Sequence, residues 1–419
     1  MAKIELQNMS GERLSSLELE SNATLKDLAR AVSELESCRV EQFSLLMGDL
    51  DLLQEFADTA SLSACGVVGS ASITLVKKMP ADVLTGSQDK TAKIWDSSTG
   101  ECKLTLSGHS DWVSSAVFSA DGALVLTASY DSTAKIWDRY TGENKLTLSG
   151  HVPAVLCAVF SADGASILTG DEGGTAKIWD SSTGLCKATL RPCHGEVEHA
   201  MFSPDGASVL TSACAYTAKI WDSSSGECKV TLSGHFDMVK SAVFSPDGSS
   251  VLTGSGDGTA KIWDCSSGEC IVTLSGHTSI VYSAVFSADG ASVLTASNDD
   301  TAKIWDASSG ECKVTFSGHS GFVNTATFSA DGVSVLTASS CSEDDTVKVW
   351  DRFSGECKAT LHLVGLLSTA VLSADGASVL TPASDETAKI WDLSSGECKV
   401  ILSGHRADIL SAVFAPAPA

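Results

Sequence analysis

The dipeptide Trp-Asp recurs eight times along the chain at an almost constant spacing. Successive pairs are separated by 42, 42, 42, 42, 42, 45 and 41 residues. A period in this range is typical of propellers and solenoids, in which one repeat alone cannot bury its apolar surface. The pairs begin at Trp95, Trp137, Trp179, Trp221, Trp263, Trp305, Trp350 and Trp391. Any fold for this chain must therefore stack eight similar units.

One repeat, residues 283–319, reads as four short β-strands joined by tight turns. The runs SAVFS, SVLTAS, TAKIW and CKVTF are apolar and β-branched, and the turn sequences DG, NDD and SG separate them. Four such strands form one antiparallel sheet that is too small to cover both of its faces. Stacking the sheets radially in a closed ring covers the faces and leaves only short edges.

With these repeated motifs, the chain resembles the WD-repeat β-propeller family over residues 79–414. The resemblance implies a mainly β fold. We predict that residues 79–419 form an eight-bladed propeller, with seven blades as the alternative, and that residues 1–78 form a separate domain.

The two ends of the repeat region predict how the ring closes. Residues 81–106 supply the second, third and fourth strands of a blade, and residues 409–414 supply a first strand with nothing after it. We therefore expect the C-terminal strand to complete the first blade, which gives eight blades. The rival is that residues 73–76 serve as the missing first strand. Deleting residues 405–419 should expose a sheet edge and promote aggregation.

The first 78 residues lack the repeat and predict a small α+β domain. Alternating runs near residues 3–7 and 14–20 are typical of strands, and Thr24 begins a helix with apolar residues at helical spacing. Two further strands follow, at residues 43–47 and 73–76. This order resembles a ubiquitin-like β-grasp domain. The segment KKMP follows directly, so the domain lacks the free Gly-Gly tail of the modifier proteins and would act as a fused docking module.

The ubiquitin-like resemblance implies an apolar docking patch on the sheet. By alignment of the strands, its members are Met9, Leu46 and Val76. The alternative is that these are ordinary sheet residues without a partner.

Composition restricts the function classes. The net charge of −24 should repel a phosphate backbone, which disfavours nucleic-acid binding. The N-terminus has no apolar signal core, and no apolar run reaches membrane-spanning length. We expect a soluble protein of the cytoplasm or nucleus that is not secreted and not bound to membranes. The sequence predicts no particular oligomeric state.

The 14 cysteines favour no metal site. Seven of them occupy one position of the repeat, in the predicted outermost strand, and we expect reduced packing thiols there. The cluster of Cys186, Cys193, His194 and His199 does not have the spacing of a common zinc module.

The WD-repeat resemblance implies a structural hydrogen-bond relay in each blade, formed by a His, a Thr, an Asp and the Trp. Buried polar networks of this kind suit a ring with one donor and one acceptor nitrogen. The relay sets are His109, Thr127, Asp131 and Trp137; His235, Thr253, Asp257 and Trp263; His277, Thr295, Asp299 and Trp305; His319, Thr337, Asp344 and Trp350; and His405, Thr85, Asp89 and Trp95.

Three blades depart from this pattern. The third has Gly173 in place of the Asp, the fourth has Cys193 in place of the His and Ala215 in place of the Asp, and the eighth lacks Gly-His. Each lost buried hydrogen bond costs on the order of 1 kcal/mol. The third and fourth blades are therefore predicted to form a less stable arc.

No catalytic motif appears in the sequence. A Ser/His/Asp reading of the relay is implausible because the Thr is predicted to be buried and the set recurs almost unchanged. Phosphate-binding loops, zinc-helix motifs and nucleophile elbows are missing from the sequence. We predict no catalytic residues, no metal and no cofactor, with a propeller hydrolase as a remote alternative.

The repeats differ mainly at the entry to the first strand and at the turn before the third strand. By resemblance these positions line the top face of the propeller. Aromatic and large apolar residues there are typical binding anchors, and Glu172, Glu196 and Glu198 should form an acidic pocket for Lys or Arg. The alternative is drift at unconstrained positions. The predicted partner-binding residues are Trp112, Tyr130, Glu172, Glu196, Glu198, Met238, Lys240, Ile280, Tyr282, Phe322, Asn324, Leu366 and Asp408.

These features predict a non-enzymatic interaction scaffold. The propeller would bind a protein or peptide on its top face, and the first domain would dock a second partner, such as ubiquitin–proteasome machinery. The alternative is a structural or assembly subunit of a cytoskeletal, ribosome-biogenesis or signalling complex.

Overall fold

Each repeat folds into a four-stranded antiparallel sheet, and the burial of the strands falls from the second to the fourth. The second strand is buried along nearly its whole length, as in Ser292–Ser297. The third strand alternates, and the fourth is mostly exposed, as in Thr301–Asp306 and Cys312–Ser317. A continuous apolar run suits a strand that is covered on both faces, and here the neighbouring blades cover it.

The structure is a computed structural model. It describes residues 81–416 apart from 193–194, 198, 213–215, 340, 342–343, 364–369 and 394, and, among the first 80, residues 2–7, 13–19, 23–24, 28, 31–32, 43–47, 50–51 and 70–77.

Eight sheets of four strands make up residues 81–416. The first strands, from blade 1 to blade 8, are Ile409–Phe414, Val113–Phe118, Val155–Phe160, His199–Phe202, Val239–Phe244, Val281–Phe286, Val323–Phe328 and Val371–Leu372. The second strands are Asp82–Ser87, Leu124–Ser129, Ser166–Asp171, Ser208–Ser212, Ser250–Ser255, Ser292–Ser297, Ser334–Ser339 and Ser378–Pro382. The third strands are Thr91–Asp96, Thr133–Asp138, Ala176–Asp180, Thr217–Asp222, Thr259–Asp264, Thr301–Asp306, Thr346–Asp351 and Thr387–Asp392. The fourth strands are Cys102–Ser107, Asn144–Ser149, Cys186–Leu190, Cys228–Ser233, Cys270–Ser275, Cys312–Ser317, Cys357–His362 and Cys398–Ser403.

Eight apolar clusters lie between neighbouring blades, one at each junction. The cluster between blades 8 and 1 contains Leu380, Ile390 and Leu402 from blade 8 and Val83, Trp95 and Ile409 from blade 1. An open array of eight sheets would have only seven such junctions. The sheets therefore close into a ring, as predicted.

The C-terminal strand completes blade 1. Ile409–Phe414 pairs antiparallel with Asp82–Ser87, and Ala412 lies opposite Thr85. The rival prediction, in which residues 73–76 provide this strand, is wrong, because Ser70–Lys77 pairs instead with strands of the N-terminal unit. The predicted eight-bladed propeller is confirmed, and the seven-bladed alternative is excluded.

The seven repeated cysteines lie at the start of the fourth strands and are exposed to solvent. Their placement on the outermost strand is as predicted, but the expectation that these thiols contribute to packing is wrong, because the fourth strand has no further strand outside it. A typical thiol, that of Cys102, lies 3.5 Å from the carbonyl oxygen of Leu104 and 3.7 Å from the hydroxyl of Thr105. None of the ten described cysteines forms a disulfide.

The N-terminal unit, Met1–Pro80, is a second compact unit of the chain, separate from Ala81–Ala419. Its strands are β1 (Ala2–Gln7), β2 (Arg13–Leu19), β3 (Phe43–Met47), β4 (Leu50–Asp51) and β5 (Ser70–Lys77). They form one sheet in the order β2-β1-β5-β3-β4. β1 and β5 are parallel, and such a pair needs a crossover connection between its strands.

The described part of the predicted helix is consistent with that crossover. Leu28 and Val32 are helical and buried, and the amide of Leu28 donates a hydrogen bond to the carbonyl of Thr24 at 3.2 Å. Of the predicted docking patch, Leu46 lies on β3 opposite Thr74 and Val76 lies on β5 opposite Ser44, whereas Met9 is outside the described residues.

Candidate protein-binding face

A buried hydrogen-bond relay fixes the loop that enters the first strand of a blade, and blade 5 shows it in full. The Trp263 indole donates to the Thr253 hydroxyl at 2.8 Å, and that hydroxyl lies 2.7 Å from Nε2 of His235. Nδ1 of His235 lies 2.8 Å from Oδ2 of Asp257. Because a carboxylate only accepts, Nδ1 carries the proton and Nε2 accepts from the threonine hydroxyl.

The aspartate of the relay also holds the turn in which it lies. Oδ1 of Asp257 accepts from the Thr259 hydroxyl at 2.6 Å, and its Oδ2 accepts from the Phe236 amide at 3.0 Å. The relay therefore joins three places in one blade: the turn before the third strand, the loop before the first strand, and the buried tryptophan. The two loop positions that vary most between repeats are fastened to this framework.

The same relay recurs in blades 1, 2, 6 and 7. In all four, the His–Asp distance is 2.8 Å, the His–Thr distance is 2.7 Å, and the Trp–Thr distance is 2.7 or 2.8 Å. Blade 7 keeps this geometry despite its three-residue insertion, with His319 bonded to Asp344. In blade 1 the histidine is His405, which joins the C-terminal end of the chain to Thr85 and Asp89.

Blade 3 forms a complete relay with a different aspartate. Asp171, at the end of the second strand, lies 2.6 Å from Nδ1 of His151, although Gly173 occupies the usual position. Most other blades have serine at the position of Asp171, as at Ser129 and Ser255. The prediction that blade 3 lacks the relay is wrong, since a carboxylate two residues earlier reaches the same histidine nitrogen.

Blades 4 and 8 keep only the inner half of the relay among their described residues. Trp221 donates to Thr211 and Trp391 donates to Thr381, each at 2.8 Å. In blade 4, Cys193 and Ala215 lie outside the described residues. In blade 8, Asp385 forms an ion pair with Lys389 at 2.6 Å.

Burial keeps the relay histidines neutral. It lowers the pKa of each below the ordinary value of 6.5, although the neighbouring aspartate acts in the opposite direction. Thr85, Thr127, Thr253 and Thr295 are fully buried, so no substrate reaches their hydroxyls. The arrangement stabilises the loops and is unsuited to nucleophilic catalysis.

The two predicted sets of face residues meet within each blade. The backbone amide of the turn residue donates to the carbonyl of the residue three places after the relay histidine, at 2.8 to 3.0 Å. The pairs are Gln88 with Asp408, Tyr130 with Trp112, Glu172 with Ala154, Gly256 with Met238, and Asn298 with Ile280. These residues lie at the same end of their sheets as the relay loops.

Trp112 and Tyr130 form an exposed aromatic pair at the end of blade 2. Their ring centroids are 5.4 Å apart with planes inclined by 58°, and the residues are 41% and 38% exposed. The pKa of Tyr130 is raised by partial burial and then by the charges of Glu172 and Glu196 on the next two blades. Both glutamates are exposed. We call these four residues the aromatic–acidic cluster.

The remaining predicted face residues are spread over the other blades. Tyr282 and Phe322, on neighbouring blades 6 and 7, have ring centroids 5.9 Å apart. Met238 is 39% exposed, and partial exposure is shared by Lys240, Ile280, Asn324 and Asp408. Glu198 and Leu366 lie outside the described residues.

Sequence reasoning missed three large exposed residues at the same end of the blades. Val152 is 90% exposed, Phe236 is 86% exposed and Tyr216 is 55% exposed. Val152 and Phe236 directly follow relay histidines, and this position also varies from blade to blade. Comparing that position across the repeats would have identified both.

Neither a metal-binding cluster nor a membrane-spanning helix occurs among the described residues. No group of three or more His, Cys, Asp or Glu side chains is arranged to hold a metal ion there. In the same part of the chain, no helix has the length and apolar character needed to cross a bilayer.

Comparison with known proteins identifies the repeat. Six segments match the WD domain, G-beta repeat family, and together they cover more than half of the chain: residues 100–138, 142–180, 184–222, 226–264, 268–306 and 310–351. The chain belongs to the WD-repeat family. Each matched segment begins two residues before the fourth strand of one blade and ends with the last residue of the third strand of the next, so the WD repeat is offset from the blade.

The chain resembles the solved structure of a designed protein. The crystal structure of the computationally designed Ika8 protein aligns with a TM-score of 0.67 and 28% sequence identity. The alignment covers 74% of this chain and 93% of that chain.

Curated relatives match over short stretches. The chain is 42% identical over 72 residues to Nuclear distribution protein PAC1 of Mycosarcoma maydis and 43% identical over 68 residues to Nuclear distribution protein PAC1-2 of Postia placenta. It is 52% identical over 40 residues to the Lissencephaly-1 homolog of Branchiostoma floridae. The chain spans about a sixth or less of the length of these relatives, at 16%, 16% and 10%.

Proposed function

We propose that this WD-repeat protein is a non-enzymatic interaction scaffold whose propeller binds a protein segment on the face that carries the relay loops. The observation that carries the proposal is the aromatic–acidic cluster. It combines two partly exposed aromatic rings with two carboxylates from neighbouring blades. Aromatic residues of this kind are frequent anchors of protein interfaces.

The chemistry of the cluster favours a basic segment. A cation over the face of Trp or Tyr is attracted by the ring quadrupole, and nearby carboxylates add to this attraction. The aliphatic stem of Lys or Arg would pack on Trp112, and its charged end would approach Glu172 and Glu196. Because the chain carries a net charge of −24, its surface would also steer a basic partner toward it.

Rigidity of the face supports the same function. The backbone bond between Tyr130 and Trp112 and the relay through His109 and Asp131 hold both loops of blade 2. A preorganised site loses less conformational entropy on binding than a mobile one. The short-matching relatives are named Nuclear distribution protein PAC1 and Lissencephaly-1 homolog, and the alternative to the scaffold is a structural or assembly subunit of a larger complex.

The test of the face is charge reversal at the cluster. Glu172→Lys with Glu196→Lys should abolish capture of the partner from cell extract, identified by mass spectrometry against the unmodified chain. The matched control is Glu227→Lys with Glu269→Lys, which changes the same charge at the opposite end of the blades. Equal capture by both double variants would exclude the cluster as the binding site.

We infer a second role for the N-terminal unit as a docking module of the ubiquitin-like type. The strand order β2-β1-β5-β3-β4 and the parallel β1–β5 pair support this assignment. Partner capture by the full chain and by a chain without residues 1–78 should differ by one set of proteins, including ubiquitin–proteasome components. Identical sets would remove the docking role and leave the propeller as the sole binding unit.

A further inference from the structure

Large exposed apolar side chains are concentrated on one half of the ring. Six of the twelve that are exposed among the described residues lie at the end of the blades that carries the relay loops. All six belong to blades 2 to 5. Single exposed apolar residues are ordinary on a protein surface, whereas a concentration of them indicates an interaction surface. The six are Trp112, Tyr130, Val152, Tyr216, Phe236 and Met238.

The fold does not explain the phenyl ring of Phe236, which is 86% exposed. The residue after the relay histidine is Phe236 in blade 5, but it is Thr278 in blade 6, Ser320 in blade 7 and Arg406 in blade 1. The relay is the same in these four blades, since each histidine lies 2.8 Å from its aspartate. The relay therefore forms equally well with a polar residue at this position.

The register between neighbouring blades brings Tyr216 beside Phe236. The residue immediately before a third strand contacts the loop of the next blade, at the residue that follows the relay histidine. In blade 2 the Ser132 hydroxyl donates to the Val152 carbonyl of blade 3 at 3.1 Å, and blades 1 and 2 share an equivalent contact. Tyr216 holds the first of these positions in blade 4, and Phe236 holds the second in blade 5.

Met238 extends this surface toward the first strand of blade 5. We call Tyr216, Phe236 and Met238 the apolar patch. The exposed Asp237 lies between two of its members in the sequence, and the partly buried Lys240 follows on the first strand, so the nearby charges balance. Recognition at the patch therefore depends on apolar contact, whereas recognition at the aromatic–acidic cluster also depends on charge.

We infer that the apolar patch binds a large apolar side chain of the same basic segment that the aromatic–acidic cluster binds. This inference rests on the proposed function and specifies its partner: one extended segment with a basic residue at one end and a large apolar residue at the other. Charge complementarity selects the basic end, because Glu172 and Glu196 are exposed and the chain carries a net charge of −24.

Continuity of the surface selects the apolar end. Glu196 of the aromatic–acidic cluster and Tyr216 of the apolar patch both belong to blade 4. A segment whose basic residue contacts the carboxylates can therefore reach the patch without crossing a further blade. Because the two surfaces adjoin, one bound segment gains from both, and the apolar contact adds affinity to the charge interaction.

The test measures binding of two kinds of fluorescent peptide to the full chain. The first peptide carries an Arg-Arg pair and a Leu-Leu pair joined by a Gly/Ser linker, and the second has serine in place of both leucines. Linkers of about 2 to 10 residues and both orders of the pairs are used, because an extended chain spans at most about 3.5 Å per residue. The leucine peptide should bind about tenfold more tightly, the order of effect expected from burying one leucine side chain.

Variants of the patch identify the residues responsible for that difference. Tyr216→Ser with Phe236→Ser should remove the tenfold advantage of the leucine peptide and leave binding of the serine peptide unchanged. The matched control is Tyr140→Ser with Phe353→Ser. It removes two aromatic side chains that are each 72% exposed, at the opposite end of the blades, and should leave binding of both peptides unchanged.

The outcomes separate this inference from the proposed function. Equal affinity of the two peptides for the unmodified chain would overturn the inference, and the proposed function would stand if Glu172→Lys with Glu196→Lys abolished binding of both. A leucine advantage that survives Tyr216→Ser with Phe236→Ser would also overturn the inference. If no peptide of either kind binds, the proposed function and the inference both fail.

Discussion

Blades 5 and 8 share a tryptophan–threonine hydrogen bond of 2.8 Å but differ in the partner of the turn aspartate and in the burial of the tryptophan. In blade 5 the turn aspartate bonds to His235, and Trp263 is 1% exposed. In blade 8 the turn aspartate bonds to Lys389, and the tryptophan is only partly buried. The first strand of blade 8 has two residues, whereas that of blade 5 has six.

A second substitution explains where Lys389 points. In most blades the equivalent lysine bonds to a threonine of the fourth strand, as Lys261 does with Thr273 at 3.0 Å. Blade 8 has Ile401 at that position, so Lys389 bonds to Asp385. The comparison shows that the tryptophan–threonine pair belongs to the sheet itself. The histidine and aspartate form a separate addition that ties the loops to the sheet.

Acidification should give the largest effect, because it acts on all six histidine relays at once. Burial places the pKa of each relay histidine below its unfolded value of about 6.5, so the unfolded chain takes up protons first. The contribution to stability is complete above about pH 6.5 and is lost as the pH falls toward the folded pKa. Urea unfolding from pH 7.5 to 5 should show the free energy of unfolding falling with pH.

The relay aspartates lose their contribution to stability in a lower pH range than the histidines do. Burial acts to raise the pKa of Asp257, but hydrogen bonds from Thr259, Phe236 and His235 lower it to about 2. Loss of stability from such carboxylates begins only below about pH 4, near the unfolded pKa of Asp. If the free energy of unfolding stays constant down to about pH 4 and falls only below that pH, the acid sensitivity belongs to the aspartates and not to the histidines.

Removing the relay threonine hydroxyl should destabilise a blade with a complete histidine relay more than a blade without one. Thr253→Val leaves the buried groups of Trp263 and His235 without their partner, at a cost of about 2–4 kcal/mol. Thr381→Val in blade 8 leaves only the partly buried Trp391 indole, at a cost of about 1 kcal/mol. Urea denaturation of both variants measures the difference. Equal costs would show that the histidine adds nothing to the network.

Asp171, which replaces the usual turn aspartate in blade 3, gives the smallest expected effect. Asp171→Ser should cost about 1–2 kcal/mol, because His151 loses its carboxylate. Adding Gly173→Asp should recover only part of this loss. A Cβ at Gly173 would lie 2.8 Å from Cγ of Pro153, so the usual aspartate position is crowded. Thermal or urea unfolding of the single and double variants measures the recovery, and complete recovery would show that Pro153 does not restrict the turn.

The predictable parts of the fold depend on spacing along the chain. The period of the Trp-Asp pairs gives the number of blades, and the unmatched strands at the two ends give the closure. The relay could be assigned by position in blades 1, 2, 5, 6 and 7, because each member sits at a fixed place in a strand or turn. Candidate face residues could be assigned in the same way, from the positions where the repeats differ.

The parts that sequence reasoning missed depend on the direction of single side chains. Because Gly173 occupies the usual aspartate position, position alone predicted a missing carboxylate and overlooked Asp171, two residues earlier. The repeated cysteines look apolar in a pattern, yet their exposure follows from the absence of any strand beyond the fourth.

The sequence by itself determined a stack of eight similar sheets, because the repeat recurs eight times, and its complementary ends predicted the closed ring that the structure confirms. The tertiary structure decided which residues from different blades meet. The ring centroids of Tyr282 and Phe322, on blades 6 and 7, lie 5.9 Å apart, and the Ser114 hydroxyl of blade 2 donates to the Val155 carbonyl of blade 3 at 2.7 Å. Such contacts depend on the radial placement of the blades, whereas the repeat pattern records only the order within each blade.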